Sequence, residues 1–589
     1  MTTLSHLTVL AIDCQATRSN PSSGHLVEIG WAKTQAASLF DHEKITETAK
    51  SYLVSLESDA QMTPKFLSMT GIEPAEMMQA VPQKEAWHKL WQESKKTKAD
   101  NQGICPAVIH FKRYEEPYLR QLHREFDSQK KFPFTILCTH DIFSRLYPGL
   151  PRKSLRAAAG FFGYSLPNLR RSLPHVVATA FIWKQIVSIL EEKEKVFTIE
   201  DLRDWLCHPA SPGPCKRPNR EYPMAKSARK DIPDKPGIYK MYRSSGELLY
   251  IGKAKSLKHR VNSYFHLRGR HAEHILEMLS QAQNLTTTVT GTAFEAAVRE
   301  SDEIKLYSPP YNRALQPNER QIFFYSANFK NKRKKPDCHH PLGPFPSNID
   351  MESLAKFIDI LNHKTQNLSP KLIETILGTP PGYAPDKDCF REGLEDFKIA
   401  YGQKTQRPFH LAHIRVWGTR FWKEKLMEKE KERQKKSALD AEISAEDEEK
   451  EKKENTWTPE RVSKALKRLV RIGSFQMRRA RWFCRLSESN LTWTNTHDSL
   501  DEKHVLVIEN GIPFFREGYL SLSLTTPPTG HQKSRPERQK NFDIAAYDRM
   551  RIVTTEMRRI VLECQDIELC FHPGAILRST ELEKILRWV

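Results

Sequence analysis

The alternation of apolar and polar positions changes character several times along the chain, and each change predicts a different kind of element. Near the start, LTVLAID, HLVEIGWAK and later PFTILCTH are short β-prone runs, so strands are predicted there. YEEPYLRQLHREF and LPHVVATAFIWKQIVSIL carry apolar residues at helical spacing. Alternating strand and helix patterns predict an α/β domain over 1–195. HPASPGPCKRPNREYPMAK is crowded with proline and charge, which predicts a linker over 196–230. A compact α/β unit is predicted over 231–316 and a mostly helical connecting region over 317–420. Charged residues dominate 421–456, with too little apolar surface to offset ordering entropy, so a solvated helix or a disordered segment is expected there. The last region, 457–589, opens with the basic helical pattern ALKRLVRIGSFQMRRARWFCRL. It continues through the strand-like LTWTNT and HVLVIENG to a second helix, YDRMRIVTTEMRRIVLE, and its role is not legible.

Composition narrows the class. A chain of 589 residues is too long for one core and suits three or four domains. Hydrophobic residues make up 39%, and no apolar run is expected to approach the roughly 18 residues of a membrane span. MTTLSHLTVLAIDCQ lacks the basic and small-residue signals of a secretory leader and reads as a buried first strand. The ten cysteines form no framework, so a reducing, cytoplasmic, nucleoid-associated location is expected. The formal charge of +20 calls for a polyanionic partner. DNA is expected rather than a membrane, because no basic amphipathic helix shows an aromatic face.

The densest chemistry lies in PGIYKMYRSSGELLYIGKAKSLKHR. GIYKMY and ELLYIG flank the turn-forming RSSG, a hairpin pattern. A turn centred on Ser244 and Ser245 would set Tyr239 directly opposite Tyr250, about 5 Å away on one face. From Gly252 onward, KAKSLKHRVNSYF reads as a helix with Leu257, Val261 and Tyr264 on its apolar side. Lys253 and Arg260, two turns apart, would share another face. In TAFEAAVRESDEIKLYSPPYN, Thr292 and Glu295 form a capping box, leaving Glu300 free to bind a hard cation such as Mg²⁺.

These motifs, in this order over 231–312, resemble the GIY-YIG nuclease domain of the UvrC and Cho type. The resemblance implies that Tyr239 orients the nucleophile or phosphate and that Tyr250 helps deprotonate water. It also implies that Lys253 and Arg260 neutralise the phosphate, that Glu300 holds one Mg²⁺ or Mn²⁺ ion, and that Asn312 completes the site. The nearby cations are expected to favour the phenolate.

Residues 7–190 resemble the DnaQ-like (DEDD) 3′-5′ exonucleases, through AIDCQATRSNPSSGHLVEIGWAK, AVIHFKRYEEPYL and SLPHVVATAFIW. That family holds two metals with four carboxylates. Here Asp13 is in place, but Gln15 stands at the second acidic position, Glu115 at the third and His175 at the fourth, with Arg170 near the usual histidine. A site missing two anions holds metal poorly, so the domain is expected to keep its fold and lose its activity. The alternative is a reorganised site of Asp13, Glu28 and Glu115.

The overall expectation is therefore an α/β multidomain protein. An RNase H-like exonuclease fold would precede a small GIY-YIG domain and a mixed, largely helical C-terminal region. Its expected activity is Mg²⁺-dependent single-strand incision of DNA, in nucleotide excision-type repair with other repair proteins, without a small-molecule cofactor. An inert DNA-binding scaffold and a restriction- or homing-type endonuclease are the alternatives. Arg468, Arg471, Arg478, Arg479 and Arg481, interleaved with Phe475, Trp482 and Phe483, are candidate nucleic-acid contacts. Cys338, His339 and His340, and Cys207, His208 and Cys215, are weaker candidates for zinc fragments.

Overall fold

A computed structural model describes residues 2–56, 62–165, 169–208, 220–266, 271–314, 320–347, 351–362, 368–380, 382–400, 413–425, 427, 457–495, 503–516, 542–571 and 574–589. Most of the charged segment expected over 421–456 lies outside the described residues. The chain forms two compact units: Met1–Ala296 with Glu303–Gln316, and Ala297–Asp302 with Pro317–Val589.

The first unit opens with strands β1 (Thr8–Ala16), β2 (Leu26–Gln35), β3 (Lys50–Leu53), β4 (Pro106–Ile109) and β5 (Thr135–Cys138). They form one sheet in the order β3-β2-β1-β4-β5. β2 lies antiparallel to β1 and β3, while β4 lies parallel to β1 and β5. This order and polarity agree with the RNase H-like expectation. β1 reads as a continuous apolar run because helices cover both of its faces. Leu10 and Ile12 pack with Trp87, Leu90, Tyr118 and Leu119, and Ala11 packs with Val176, Val177 and Ala180.

Two expectations need correction. Residues Ser172–Glu194 form a helix long and apolar enough to cross a membrane by length and composition. It is a core helix here, with Val176, Ala178, Ile182 and Ile186 fully buried. The start of the expected linker is also folded. Thr198 and Asp201 cap helix Ile199–Cys207 reciprocally, and Leu202 is fully buried in the same core as Val9 and Ile182.

Strands β6 (Gly237–Tyr242), β7 (Leu248–Ala254) and β8 (Asn284–Val289) make an antiparallel sheet in the order β7-β6-β8. Helices Leu257–Ser263, Glu273–Leu279 and Ala293–Tyr307 accompany it. This small sheet is joined closely to the N-terminal part of the same unit. Ser154 Oγ donates to Glu277 Oε2 at 2.6 Å, and Gln283 Nε2 donates to the Phe161 carbonyl at 3.0 Å. A Cβ on Gly160 would come within 1.8 Å of the Gln281 side-chain oxygen, so the approach depends on glycine.

In the second unit, β9 (Ile322–Tyr325), β10 (Lys332–Arg333) and β11 (Leu342–Pro346) form a sheet in the order β10-β9-β11. A single core joins Tyr325, Phe345, Leu354, Ile373 and Phe397 to Leu466, Val470 and Met477 of helix Pro459–Leu486. The region expected to connect domains is thus packed, and the expected break at 457 falls inside one core. β12 (Ser489–Asn495), β13 (Lys503–Glu509), β14 (Ile512–Arg516), β15 (Cys564–Phe571) and β16 (Ala575–Arg578) form an antiparallel sheet in the order β14-β13-β12-β15-β16.

Leu202→Ala is expected to destabilise the N-terminal core by about 2–5 kcal/mol. Denaturant titration reads the loss, and limited proteolysis should open the chain near Phe197. A residue in a true linker would give neither effect.

Candidate active site

The β6–β7 hairpin turns later than its sequence pattern suggests. Gly246 N donates to Arg243 O at 3.1 Å and Arg243 N to Glu247 O at 2.9 Å, with Gly246 at φ +83°. Tyr239 therefore pairs with Gly252, and Tyr250 with Met241, rather than Tyr239 with Tyr250. Strand parity still leaves both tyrosines on one face as diagonal neighbours, with ring centroids 6.2 Å apart. Gly252 makes this possible, because a Cβ there would lie 2.3 Å from the Tyr239 hydroxyl.

Tyr239 is only 1% exposed, and its hydroxyl meets that of Tyr264 at 2.8 Å. Arg260 Nη2 donates to the same Tyr264 oxygen at 3.2 Å, its guanidinium 4.9 Å from that ring. Burial, and then the Tyr264 and Tyr250 phenols, hold the Tyr239 pKa well above its ordinary value, and Arg260 pulls it down only weakly. The expected preference for phenolate therefore fails at Tyr239, which stays a neutral phenol. Tyr250 is half-buried. Tyr264 was expected only as core; it is buried, yet its hydroxyl bridges Tyr239 and Arg260. The i,i+4 spacing of Arg260 and Tyr264 was the available signal.

Lys253 is not on Arg260's helix. β7 continues to Ala254, where pairing with Gly237 persists, and Ser256 caps the helix by accepting from His259 N at 3.2 Å. Lys253 pairs with Ile238, so parity places it on the sheet face opposite Tyr239, where it is exposed.

Asn312 is 7% exposed and holds both backbone groups of Ile251, accepting from its N–H at 2.9 Å and donating to its carbonyl at 2.8 Å. It thereby satisfies the free edge of β7 between Tyr250 and Gly252. Tyr311 N donates to Leu249 O at 3.1 Å, and Tyr311 Oη donates to Glu277 Oε1 at 2.9 Å. Through Glu277 and Ser154, the N-terminal part of the unit braces this edge.

Helix Ala293–Tyr307 starts as expected, with Glu295 N donating to Thr292 Oγ1 at 3.1 Å; Glu295 Oε2 accepts from Gly291 N at 3.1 Å. Glu300 is half-buried, about one turn before Glu303, which pairs with Lys240 at 2.6 Å.

The structure brings Asp13, Gln15, Glu115 and His175 together in the N-terminal domain, but as a closed set. Asp13 Oδ1 lies 3.0 Å from His175 Nδ1, and Asp13 Oδ2 accepts from Gln15 Nε2 at 3.2 Å. Burial opposes His175 protonation, but the Asp13 carboxylate outweighs it and raises the pKa above the usual imidazole value. Burial, and then the Asp13 charge, push the Glu115 carboxyl well up, so it stays protonated. Glu28 is engaged by Arg171 at 3.1 Å, Ser51 Oγ at 2.9 Å and Ser172 N at 3.1 Å, which leaves little of it for the reorganised metal site. Among the described residues no group of three or more His, Cys, Asp or Glu is arranged to hold a metal ion. Of the weaker zinc candidates, Cys338 and His339 are exposed, and His340 is bonded to Asp337 at 2.6 Å. Cys215 lies outside the described residues.

The candidate arginines of helix Pro459–Leu486 divide. Arg468 and Arg481 are exposed, and Arg471 lies 6.0 Å from the Trp422 ring. Arg478 turns inward to Thr419 Oγ1 at 2.6 Å and Ser474 Oγ at 2.8 Å, and Arg479 lies 5.1 Å from the Phe483 ring. Trp482 and Phe483 are core residues, so this helix presents fewer cations outward than its sequence suggests.

Residues 235–313 match the family of the UvrC-like GIY-YIG domain. The chain is similar to the UvrABC system protein C of Clostridium botulinum, 38% identical over 139 residues, and to that of Cronobacter sakazakii, 36% over 140. In both cases the match covers 22% of this chain and 22% of the relative, so the chain spans about a fifth of these relatives' length. Among solved structures it is similar to the GIY-YIG N-terminal endonuclease domain of UvrC from Thermotoga maritima, bound to magnesium as its catalytic divalent cation. That domain is 35% identical and 99% covered, over 15% of this chain, with a TM-score of 0.14. The nuclease domain of 3'hExo, a DEDDh family member, is 16% identical and 94% covered, over 32% of this chain, with a TM-score of 0.27. The chain thus carries a UvrC-like GIY-YIG endonuclease domain.

Gly252→Ala is expected to force the Tyr239 ring aside and to cost about 1–3 kcal/mol, read by denaturant titration. The pairing of protonated His175 with Asp13 also predicts a pH effect. Because the folded pKa is raised, this stabilisation is full below about pH 6.5 and is lost as pH rises through the folded value. Thermal melts of His175→Gln should show a flatter stability profile across that window than the wild type.

Proposed function

We propose that the chain is a divalent-metal-dependent DNA endonuclease that makes a single-strand incision in nucleotide excision-type repair. The observation that carries this reading is the Tyr239–Tyr264–Arg260 cluster with Tyr250 beside it, built around Gly252 and braced by Asn312. Arg260 supplies fixed positive charge for a phosphodiester. Tyr239, neutral and buried, orients through its hydroxyl rather than taking a proton. Tyr250, the more accessible phenol, would first give its own proton to solvent and then, as the phenolate, take the proton from the attacking water at its Oη; a positioned base contributes on the order of 10²–10⁴-fold. Lys253, on the other face, is a backbone contact rather than a member of the phenol cluster.

Glu300 would hold one Mg²⁺ or Mn²⁺ ion. A single half-buried carboxylate suits Mg²⁺, which keeps several of its waters and needs no all-protein cage. When bound, the ion supplies Lewis-acid stabilisation of the leaving oxygen. The metal-bound Thermotoga maritima domain supports this cofactor, and the UvrABC relatives support DNA and other repair proteins as partners in the cytoplasm. The exonuclease-type domain is proposed to be non-catalytic, since its remaining anions are neutralised by His175, Arg171 and protonation.

Nicking of supercoiled plasmid in Mg²⁺ tests the reading. Tyr250→Phe and Glu300→Ala should each lower nicking by about 10²-fold or more without loss of DNA binding. If both variants nick like the wild type, the proposed site is wrong. Tight, salt-sensitive binding with no cleavage by the wild type would make the protein a scaffold. Discrete fragments from undamaged linear DNA would make it a restriction- or homing-type enzyme.

A further inference from the structure

The small sheet of the second unit has a cationic edge that neither nuclease-type fold uses. Five of the six positions 330–335 are cations: Lys330, Lys332, Arg333, Lys334 and Lys335. All five are exposed, and two of them form β10, the outer strand of the order β10-β9-β11. The neighbouring acids are partly spoken for. Asp359 pairs with Lys330 at 3.0 Å, and Asp337 holds Arg333 at 3.3 Å and His340 at 2.6 Å. Among the described residues, Lys332, Lys334 and Lys335 form no ion pair.

The hairpin that displays these cations is well defined. Ser326 N donates to Asn331 O at 2.9 Å, and Asn331 N donates to Ser326 Oγ at 3.0 Å. Phe329, at φ +59°, is fully buried beneath the turn. Asp337 Oδ1 accepts from His339 N at 2.9 Å and His340 N at 2.7 Å, fixing the far end. The Lys332 ammonium lies 5.1 Å from the half-buried Phe323 ring, and Phe323, Pro336, Asp337 and the cations at 332–335 line an open recess of about 580 Å³.

Charge on an edge strand also blocks edge-to-edge pairing, but one or two lysines suffice for that. Beyond Lys332 on the strand itself, Lys334 and Lys335 add unpaired charge that repels until an anion arrives. One half-buried ring, Phe323, is little apolar surface to insert into a bilayer, while cations displayed beside an aromatic ring match a phosphate backbone. We propose that the Lys330–Lys335 hairpin is a nucleic-acid backbone-binding element, using Lys332, Lys334 and Lys335 beside Phe323. The proposal rests on DNA being the substrate of the nuclease site, but it does not depend on cleavage.

The test uses the full chain in EDTA, with a fluorescent duplex of about 30 base pairs titrated at several salt concentrations between about 50 and 300 mM. Each lost phosphate contact removes about 0.9 from the slope of log K against log salt, so K332Q/K334Q/K335Q should flatten it by about 2–3 and weaken binding about 10–100-fold. The single variants Lys334→Gln and Lys335→Gln should each remove about 0.9, which keeps the test decisive if the triple variant folds poorly. Wild-type affinity and slope in all variants would overturn the proposal, as would self-association of the triple variant with unchanged DNA binding, which would leave only edge protection. A wild type that fails to nick, with a triple variant that loses binding, would refute the endonuclease reading and leave the hairpin proposal standing.

Discussion

The candidate site depends on one packing constraint: the Tyr239 phenol occupies the space that a side chain at position 252 would need. A glycine there lets a buried ring cross the strand beneath Tyr250 and reach Tyr264, which in turn meets Arg260. The arrangement would be loose if β7 were a free edge. Asn312 prevents that by satisfying both backbone groups of Ile251. The GIY and YIG motifs and the distant asparagine are thus parts of one mechanical arrangement before any of them is a chemical group.

The same reasoning applies to the N-terminal α/β domain. Its sheet keeps the RNase H-like order, while His175 and Gln15 occupy the Asp13 carboxylate. With the charges neutralised inside the protein, no ion is needed to hold the carboxylates together. What the domain still offers is a surface: Ser154 bonds to Glu277, Glu277 accepts from Tyr311, and Tyr311 precedes the asparagine that secures β7. Gly160 permits the close approach this contact requires.

In the second unit, sequence and structure part company over which cations are available. Arg478 and Arg479 read as part of a basic stripe, yet their guanidinium groups bond to hydroxyls or lie over rings within the core. Long cationic side chains cover apolar surface readily, so a basic helix is not by itself a basic face. The β10 hairpin is the reverse case. Its lysines gain a defined surface from their place on a sheet edge.

The sequence by itself determined much. Period-two and helical patterns, with a capped acidic helix, located the N-terminal α/β domain and the GIY-YIG-like domain. The residue types already showed Gln15 and His175 where the exonuclease resemblance implies acids. Local chemistry suffices for such statements, because propensity and motif spacing act over a few residues. The tertiary structure decided what depends on register and contact. It shifted the hairpin pairing to Tyr239 and Gly252, moved Lys253 to the other face, brought in the Tyr264 hydroxyl, and extended the N-terminal core to Leu202. It also merged the expected connecting region with the basic helix into one core. A two-residue change in pairing alters the local sequence pattern very little but changes every cross-strand neighbour. Burial, which sets the charge state of Tyr239, belongs to the packed molecule and not to any short stretch of the chain.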